Sequence, residues 1–255
     1  MKEVVLVDQI SKSFKKGSQD IFLALDQLSL SIYPGDFITV VGGNGAGKST
    51  FFQALAGSFF VDSGSIWIKG KDVTRENEME RAKNISRVFQ DPKMGVAPRM
   101  TVAENLALAE RRGLSRGLHL ALNQDLKEKY KYLLKPLGLG LETRLDTAME
   151  FLSGGQRQAV ALVMATLVRP DILLLDEHTA SLDPKTSRII LEETKKQIKE
   201  KELTSLMITH NLKDALDFGN RMILLNHGKL YREFTWEEKK KMTPTDLYAL
   251  MSSLD

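Results

Sequence analysis

The sequence predicts an α/β fold in which a β-rich N-terminal part and an alternating helix–strand C-terminal part are separated by a helical insertion. Three observations predict it. Short apolar or alternating runs bounded by turn residues fill roughly the first 75 positions, helical spacing takes over from Thr101 to Leu137, and buried strand alternates with helix after Ser153. At 255 residues the chain can bury a substantial core as one large domain. Within 1–255, residues 1–90 form the β-rich part, 91–155 the insertion, 156–235 the remainder of the α/β core and 236–255 a short tail.

The β-rich part contains candidate strands at Val4 to Val7, Ile21 to Leu25, Leu28 to Ile32, Phe37 to Val41 and Ser65 to Ile68. Pro34-Gly35-Asp36 and Asp62-Ser63-Gly64 read as the turns between them. Thr101 and Glu104 form a capping box, because the hydroxyl accepts a helix N–H while the carboxylate reaches back to the cap. Leu122, Leu126, Tyr130, Leu133 and Leu134 then recur at helical spacing. Ile172 to Leu175 and Ser205 to Thr209 read as buried strands of a parallel sheet. Asn226-His227-Gly228 reads as a hairpin turn. The roughly twenty residues after Phe234 are too few for a separate domain, and predict a short amphipathic helix packed on the core or on a partner subunit.

A hydrophobic content of 42% with 27% charged residues is that of a globular protein, which excludes a disordered chain. No apolar run approaches the length that crosses a bilayer, and MKEVVLVDQI lacks the apolar centre of a signal peptide, so a cytosolic location is expected. The absence of cysteine excludes disulfides and thiolate metal sites. Lysines and acids alternate between Glu192 and Lys201, a solvated helix face, and no nucleic-acid partner is expected.

After the run Phe37 to Val41 comes Gly42-Gly43-Asn44-Gly45-Ala46-Gly47-Lys48-Ser49-Thr50, a phosphate-binding loop in the strand-then-helix setting that gives the pattern meaning. Glycines let successive backbone N–H groups curl around phosphate oxygens, and the helix that follows adds the positive end of its dipole. Lys48 would reach the β- and γ-phosphates and Ser49 would ligate magnesium. The bland alternative is a glycine-rich turn that binds nothing. Ile172 to Leu175 ends in Asp176-Glu177, two carboxylates that strand alternation sends in different directions. Asp176 can hold the metal through water while Glu177 polarises the attacking water as general base. An acidic pair ending a strand is otherwise commonly a helix cap.

Leu152-Ser153-Gly154-Gly155-Gln156 carries the decisive signal, since a serine and two glycines opening a helix make a second anion-binding helix end without a lysine. In order and spacing after the phosphate loop, this segment resembles the signature of the ABC ATPases. The resemblance spans Val4 to about Phe234. It implies a P-loop NTPase core of RecA-like type with a mostly parallel sheet, an antiparallel β-subdomain and an inserted α-helical subdomain. It also implies ATP and Mg2+ as ligands. Gln90 resembles the glutamine that touches magnesium and the attacking water, and Asp183 lies in the loop through which facing subunits sense each other. His210 matches the histidine that contacts γ-phosphate, and Phe14 stands where an aromatic stacks on adenine. As bland alternatives, Asp183 caps a helix with Pro184 at its first position, and Phe14 is core. One departure is His178, where the family commonly has proline; it reads as a tolerated variation at a loop start. His119 and His227 show no ligand pattern.

By resemblance, two copies close head to tail around two ATP molecules, with permease subunits docked in a groove bordered by Asp91 to Arg112. There Met94, Val96, Pro98 and Met100 either offer adaptable apolar surface or pack internally. The expected setting is peripheral, at the cytoplasmic face of the membrane, with a solute-binding protein as an indirect partner. Thr101 to Leu106 is similar to importer ATPases for amino acids and related small solutes. A soluble ABC ATPase of iron–sulfur cluster assembly would share every nucleotide motif, but Gly154 to Gln158 fits transporters better.

Overall fold

Alternation along the first strands decides which face they bury: Val5, Val7 and Ile10 are buried while Asp8 and Gln9 face solvent. The computed structural model describes residues 2–16, 20–114 and 122–254, in two packing units, residues 1–81 with 202–255 and residues 82–201. In the first unit the chain runs through β1 (Val5–Lys16), β2 (Asp20–Ile32), β3 (Phe37–Val41), α1 (Lys48–Ala56), β4 (Ser63–Ile68), β5 (Lys71–Asp72) and α2 (Glu78–Arg81). The second unit holds β6 (Ile85–Val88), α3 (Val102–Glu110), α4 (Gln124–Leu134), α5 (Gly154–Leu167), β7 (Ile172–Asp176) and α6 (Pro184–Glu200). The chain then returns to the first unit with β8 (Ser205–Ile208), α7 (Leu212–Asp217), β9 (Arg221–Asn226), β10 (Lys229–Thr235), α8 (Trp236–Lys239) and α9 (Pro244–Ser252).

The first unit contains an antiparallel sheet in the order β2-β1-β4-β5 and a second set of strands in the order β10-β9-β3-β8. β3 is buried along its whole length and lies parallel to both β8 and β9, which is why it reads as a continuous apolar run. The two predicted strands at 21–25 and 28–32 are one strand, β2, interrupted by a bulge at Gln27 (φ +48). Gly64, read as a turn, lies inside β4: a Cβ there would come within 2.4 Å of the Gln9 carbonyl oxygen, where β1 bulges. His227 (φ +46) and Gly228 (φ +76) form the predicted two-residue hairpin between β9 and β10, whose positive angles suit the strand twist. The tail forms α8 and α9 and packs through Leu247 into a cluster with Val41, Ala215, Leu216 and Phe234.

In the second unit β6 and β7 are parallel, with Val88 opposite Leu175. The capping box of α3 is complete: Thr101 Oγ1 accepts from the Glu104 N–H at 3.2 Å, and Glu104 accepts from the Thr101 N–H at 2.7 Å. Buried Asn105 donates from its amide to the Ala97, Met100 and Thr101 carbonyls and accepts from the Ala97 N–H, fixing the segment ahead of α3. Leu122 precedes the N-cap Asn123, so the helical repeat begins at Leu126. His119 lies outside the described residues.

Candidate nucleotide-binding site

The phosphate loop leaves β3 and turns into α1 through Gly47 (φ +97), which takes the N-cap position. A Cβ on Gly47 would meet the Ala24 carbonyl oxygen at 2.6 Å, and one on Gly42 the Leu225 carbonyl oxygen at 2.4 Å. Backbone crowding therefore demands glycine at both positions, and Gly45 (φ +80) needs it for conformation alone. Lys48 is 6% exposed, and its Nζ donates to the Gly42 and Gly43 carbonyls at 2.7 and 2.9 Å. The loop is thus wrapped around its own ammonium group. Ala46 is buried beneath it, Asn44 and Ser49 are exposed, and Thr50 is half-buried. Because Val40 pairs with Ile208 in parallel register, the loop and the exposed His210 leave the same carboxyl edge of the first unit's strands.

The carboxylates belong to the second unit. Asp176 ends β7 at 8% exposure, and its Oδ2 accepts from Arg87 Nη2 at 2.5 Å. The Arg87 guanidinium also lies 4.6 Å from the Phe89 ring centroid. Gln90, exposed, follows β6 at the same carboxyl edge as Asp176 and Glu177. Glu177 is half-buried with a left-handed backbone (φ +46). His178 is 1% exposed, its Nε2 3.1 Å from Thr194 Oγ1 on α6, and burial pushes the imidazole down to about 4, so it is neutral at physiological pH. The residue read as a tolerated variation is a buried, bonded side chain. Arg87 and Thr194 were not singled out in the sequence; an arginine between Ile85-Ser86 and Val88 and a threonine within a charged helix are the available signals.

Ser153 caps α5 and accepts from the Gln156 N–H at 3.2 Å, while Gln156 Oε1 accepts from the Ser153 N–H at 3.1 Å and from Arg144 at 2.9 Å. Gln156 Nε2 donates to the Leu139 carbonyl at 3.0 Å, so its side chain organises the cap from inside the unit. Gly154 is exposed, and Gly155 is required by packing: a Cβ there would lie 2.3 Å from Thr186 Cγ2. Asp183 caps α6 by accepting from the Thr186 N–H at 3.0 Å, and that bond holds its carboxyl below the usual range. Pro184 occupies the first turn, as the capping alternative required.

Phe14, on β1, is 39% exposed and meets Phe59 edge to face at 5.3 Å, with Lys12 Nζ near both rings. Its ring is partly exposed at the surface rather than buried in the core. In the second unit a cavity of about 190 Å³ is lined by Phe89, Asp91, Pro92, Gly95, Arg112 and Gln158. Met94 is 68% exposed nearby, whereas Val96 and Met100 are half-buried. No described helix is long and apolar enough to cross a membrane.

The family model for ABC transporters matches residues 25–180. The tyrosine transport ATP-binding protein of Clostridioides difficile is 41% identical over 244 residues, covering 94% of this chain and 96% of that one. The energy-coupling factor transporter ATP-binding protein EcfA1 of Bacillus subtilis is 35% identical over 94% of this chain and 81% of its own length. The dimeric, post-hydrolysis ATP-binding cassette MJ0796 with ADP and Pi superposes with a TM-score of 0.78 at 29% identity, covering 91% of this chain and 98% of that one. The chain is therefore a member of the ABC transporter family with the ATP-binding cassette fold of an ATP-hydrolysing domain.

Proposed function

We propose that this chain is the energy-supplying subunit of a membrane importer for a small solute, acting as an ATP-dependent homodimer bound to permease subunits at the cytoplasmic face. The observation that carries the reading is the pair of unlike helix ends. One bears Lys48 in a phosphate loop, and the other, at Ser153, has no lysine and serves the nucleotide held by a facing copy. The near full-length likeness to a tyrosine transport ATP-binding protein supports transport, and an amino acid as the solute class. A solute-binding protein is the expected indirect partner.

The residues fit MgATP. Gly42, Gly45 and Gly47 leave the cradle free of Cβ atoms, and Ser49, Gln90 and Asp176 offer the hard oxygen donors that magnesium takes. Magnesium, when bound, supplies charge neutralisation at the β- and γ-phosphates. Asn44, Ala46 and Thr50 contribute backbone and hydroxyl groups to the cradle, and Lys48 turns from the loop carbonyls toward phosphate oxygens. Phe14 stacks on the base. Glu177 takes a proton from the attacking water, and His210 contacts the γ-phosphate. Across the dimer, Ser153, Gly154, Gly155 and Gln156 close the partner's nucleotide, and Asp183 reports on it. Asp176, which now accepts from Arg87, would help hold the magnesium.

The test is to tag the protein in its native cell, solubilise the membranes gently and identify what co-purifies. Recovery of a polytopic permease is expected. Recovery of soluble proteins alone would overturn the transport assignment while leaving the ATPase intact.

A further inference from the structure

The geometry points to His178 as a positioning residue for Glu177: its imidazole, tethered to Thr194 within α6, fixes the direction in which the carboxylate leaves the end of β7. The inference rests on the reading of Glu177 as general base.

Glu177 adopts a backbone conformation (φ +46) that side chains other than glycine rarely take, and such a residue persists only where its surroundings hold it. The next residue supplies the hold. His178 is 1% exposed, with Nε2 3.1 Å from Thr194 Oγ1, and Thr194, also 1% exposed, donates its one hydroxyl proton to the Ile190 carbonyl at 2.7 Å. Thr194 therefore accepts from His178, which fixes the Nε2–H tautomer. The anchor is rigid, because Thr194 lies inside a helix of 17 residues that Asp183 caps. Between the two attachment points the Ala180 N–H donates to the Glu177 carbonyl at 3.0 Å and the Leu182 N–H to the Thr179 carbonyl at 3.2 Å. The loop from Glu177 to Asp183 is thus pinned at both ends and braced in the middle. A general base must stand within hydrogen-bond reach of the proton it takes, and a displacement of about 1 Å costs on the order of 10²-fold in rate. A side chain one peptide bond from Glu177 and bonded to a helix interior is placed to prevent that displacement.

Thr194→Val keeps the volume and removes the acceptor, whereas Thr194→Ser keeps the hydroxyl. Each is measured in the full chain for ATPase kinetics, for affinity toward a fluorescent ATP analogue, and for amide hydrogen exchange of residues 176–182 without nucleotide. Thr194→Val is expected to lower kcat about tenfold, leave nucleotide affinity within about twofold and speed exchange in that segment, while Thr194→Ser restores most of the rate. A folded Thr194→Val with kcat within about twofold of the parent, or equal losses in both variants, would overturn the inference. Should Thr194→Val fail to fold, His178→Leu and His178→Gln decide the matter, since glutamine keeps a donor: the first must lose rate and the second largely keep it. Glu177→Gln, assayed alongside, separates the two readings. Hydrolysis surviving in Glu177→Gln overturns the general-base reading; a silent Glu177→Gln with a fully active Thr194→Val overturns only the positioning role.

Discussion

Lys239 is a lysine buried in the first unit's core. It is 1% exposed, donating to the Phe218 carbonyl, to the Gly219 carbonyl at 3.1 Å and to Thr39 Oγ1 at 3.4 Å. The ammonium ends α7 and ties α8 to β3, and burial pulls its pKa from 10.5 down to about 8. Between those values the unfolded chain holds a proton that the folded chain has released, so stability contributed by this group rises with pH across that window. Below pH 8 both states are protonated and the folded state bears the desolvation cost in full. Lys239→Met is expected to remove this rise, changing the difference from the parent by up to about 3 kcal/mol between pH 8 and pH 10.5 in urea unfolding. A pH-independent difference would assign the lysine's titration to the wrong environment. Gly155 shows the limit of reading single residues: its role as part of an anion-binding helix end is legible, but its contact with Thr186 depends on where α6 lies.

At the scale of elements, the end of α1 is set by Arg81 as much as by Gly57 (φ +79). The Arg81 guanidinium, 1% exposed, donates to the Ala54, Leu55 and Val73 carbonyls at 2.6, 2.8 and 2.5 Å and so closes the helix that carries the phosphate loop. Arg81→Met takes the side-chain donor from those carbonyls, leaving Ala54 and Val73 with only the Gly57 and Glu76 N–H groups, and is expected to cost about 1–3 kcal/mol, measured as a lower urea midpoint with an unchanged slope. A loss within about 0.5 kcal/mol would mean that Gly57 ends the helix alone. The elements that local chemistry specifies were legible in the sequence: β3 from its apolar run, α3 from its capping box, the hairpin from His227-Gly228. Bulges were not, because Gln9 and Gln27 carry no turn signature and take positive φ only through pairing with distant strands. Arg81 was illegible for the same reason, since the carbonyls it bonds lie 7 to 27 residues away.

For the molecule as a whole, the motifs proposed to meet phosphate were the most legible, because anion binding requires backbone N–H groups, glycines and a lysine in a fixed local order. Arg87, Thr194 and the buried state of His178 became visible only once β6, β7 and α6 were folded together within their unit. The two helix ends, one with and one without a lysine, make the central claim that a single chain holds only half of each working site. Glu177→Gln tests it directly, since the variant keeps every proposed binding group and lacks the proposed general base. Under saturating MgATP, light scattering is expected to give twice the monomer mass, with hydrolysis falling at least about 10²-fold. A monomer under those conditions, or turnover near that of the parent, would contradict the account.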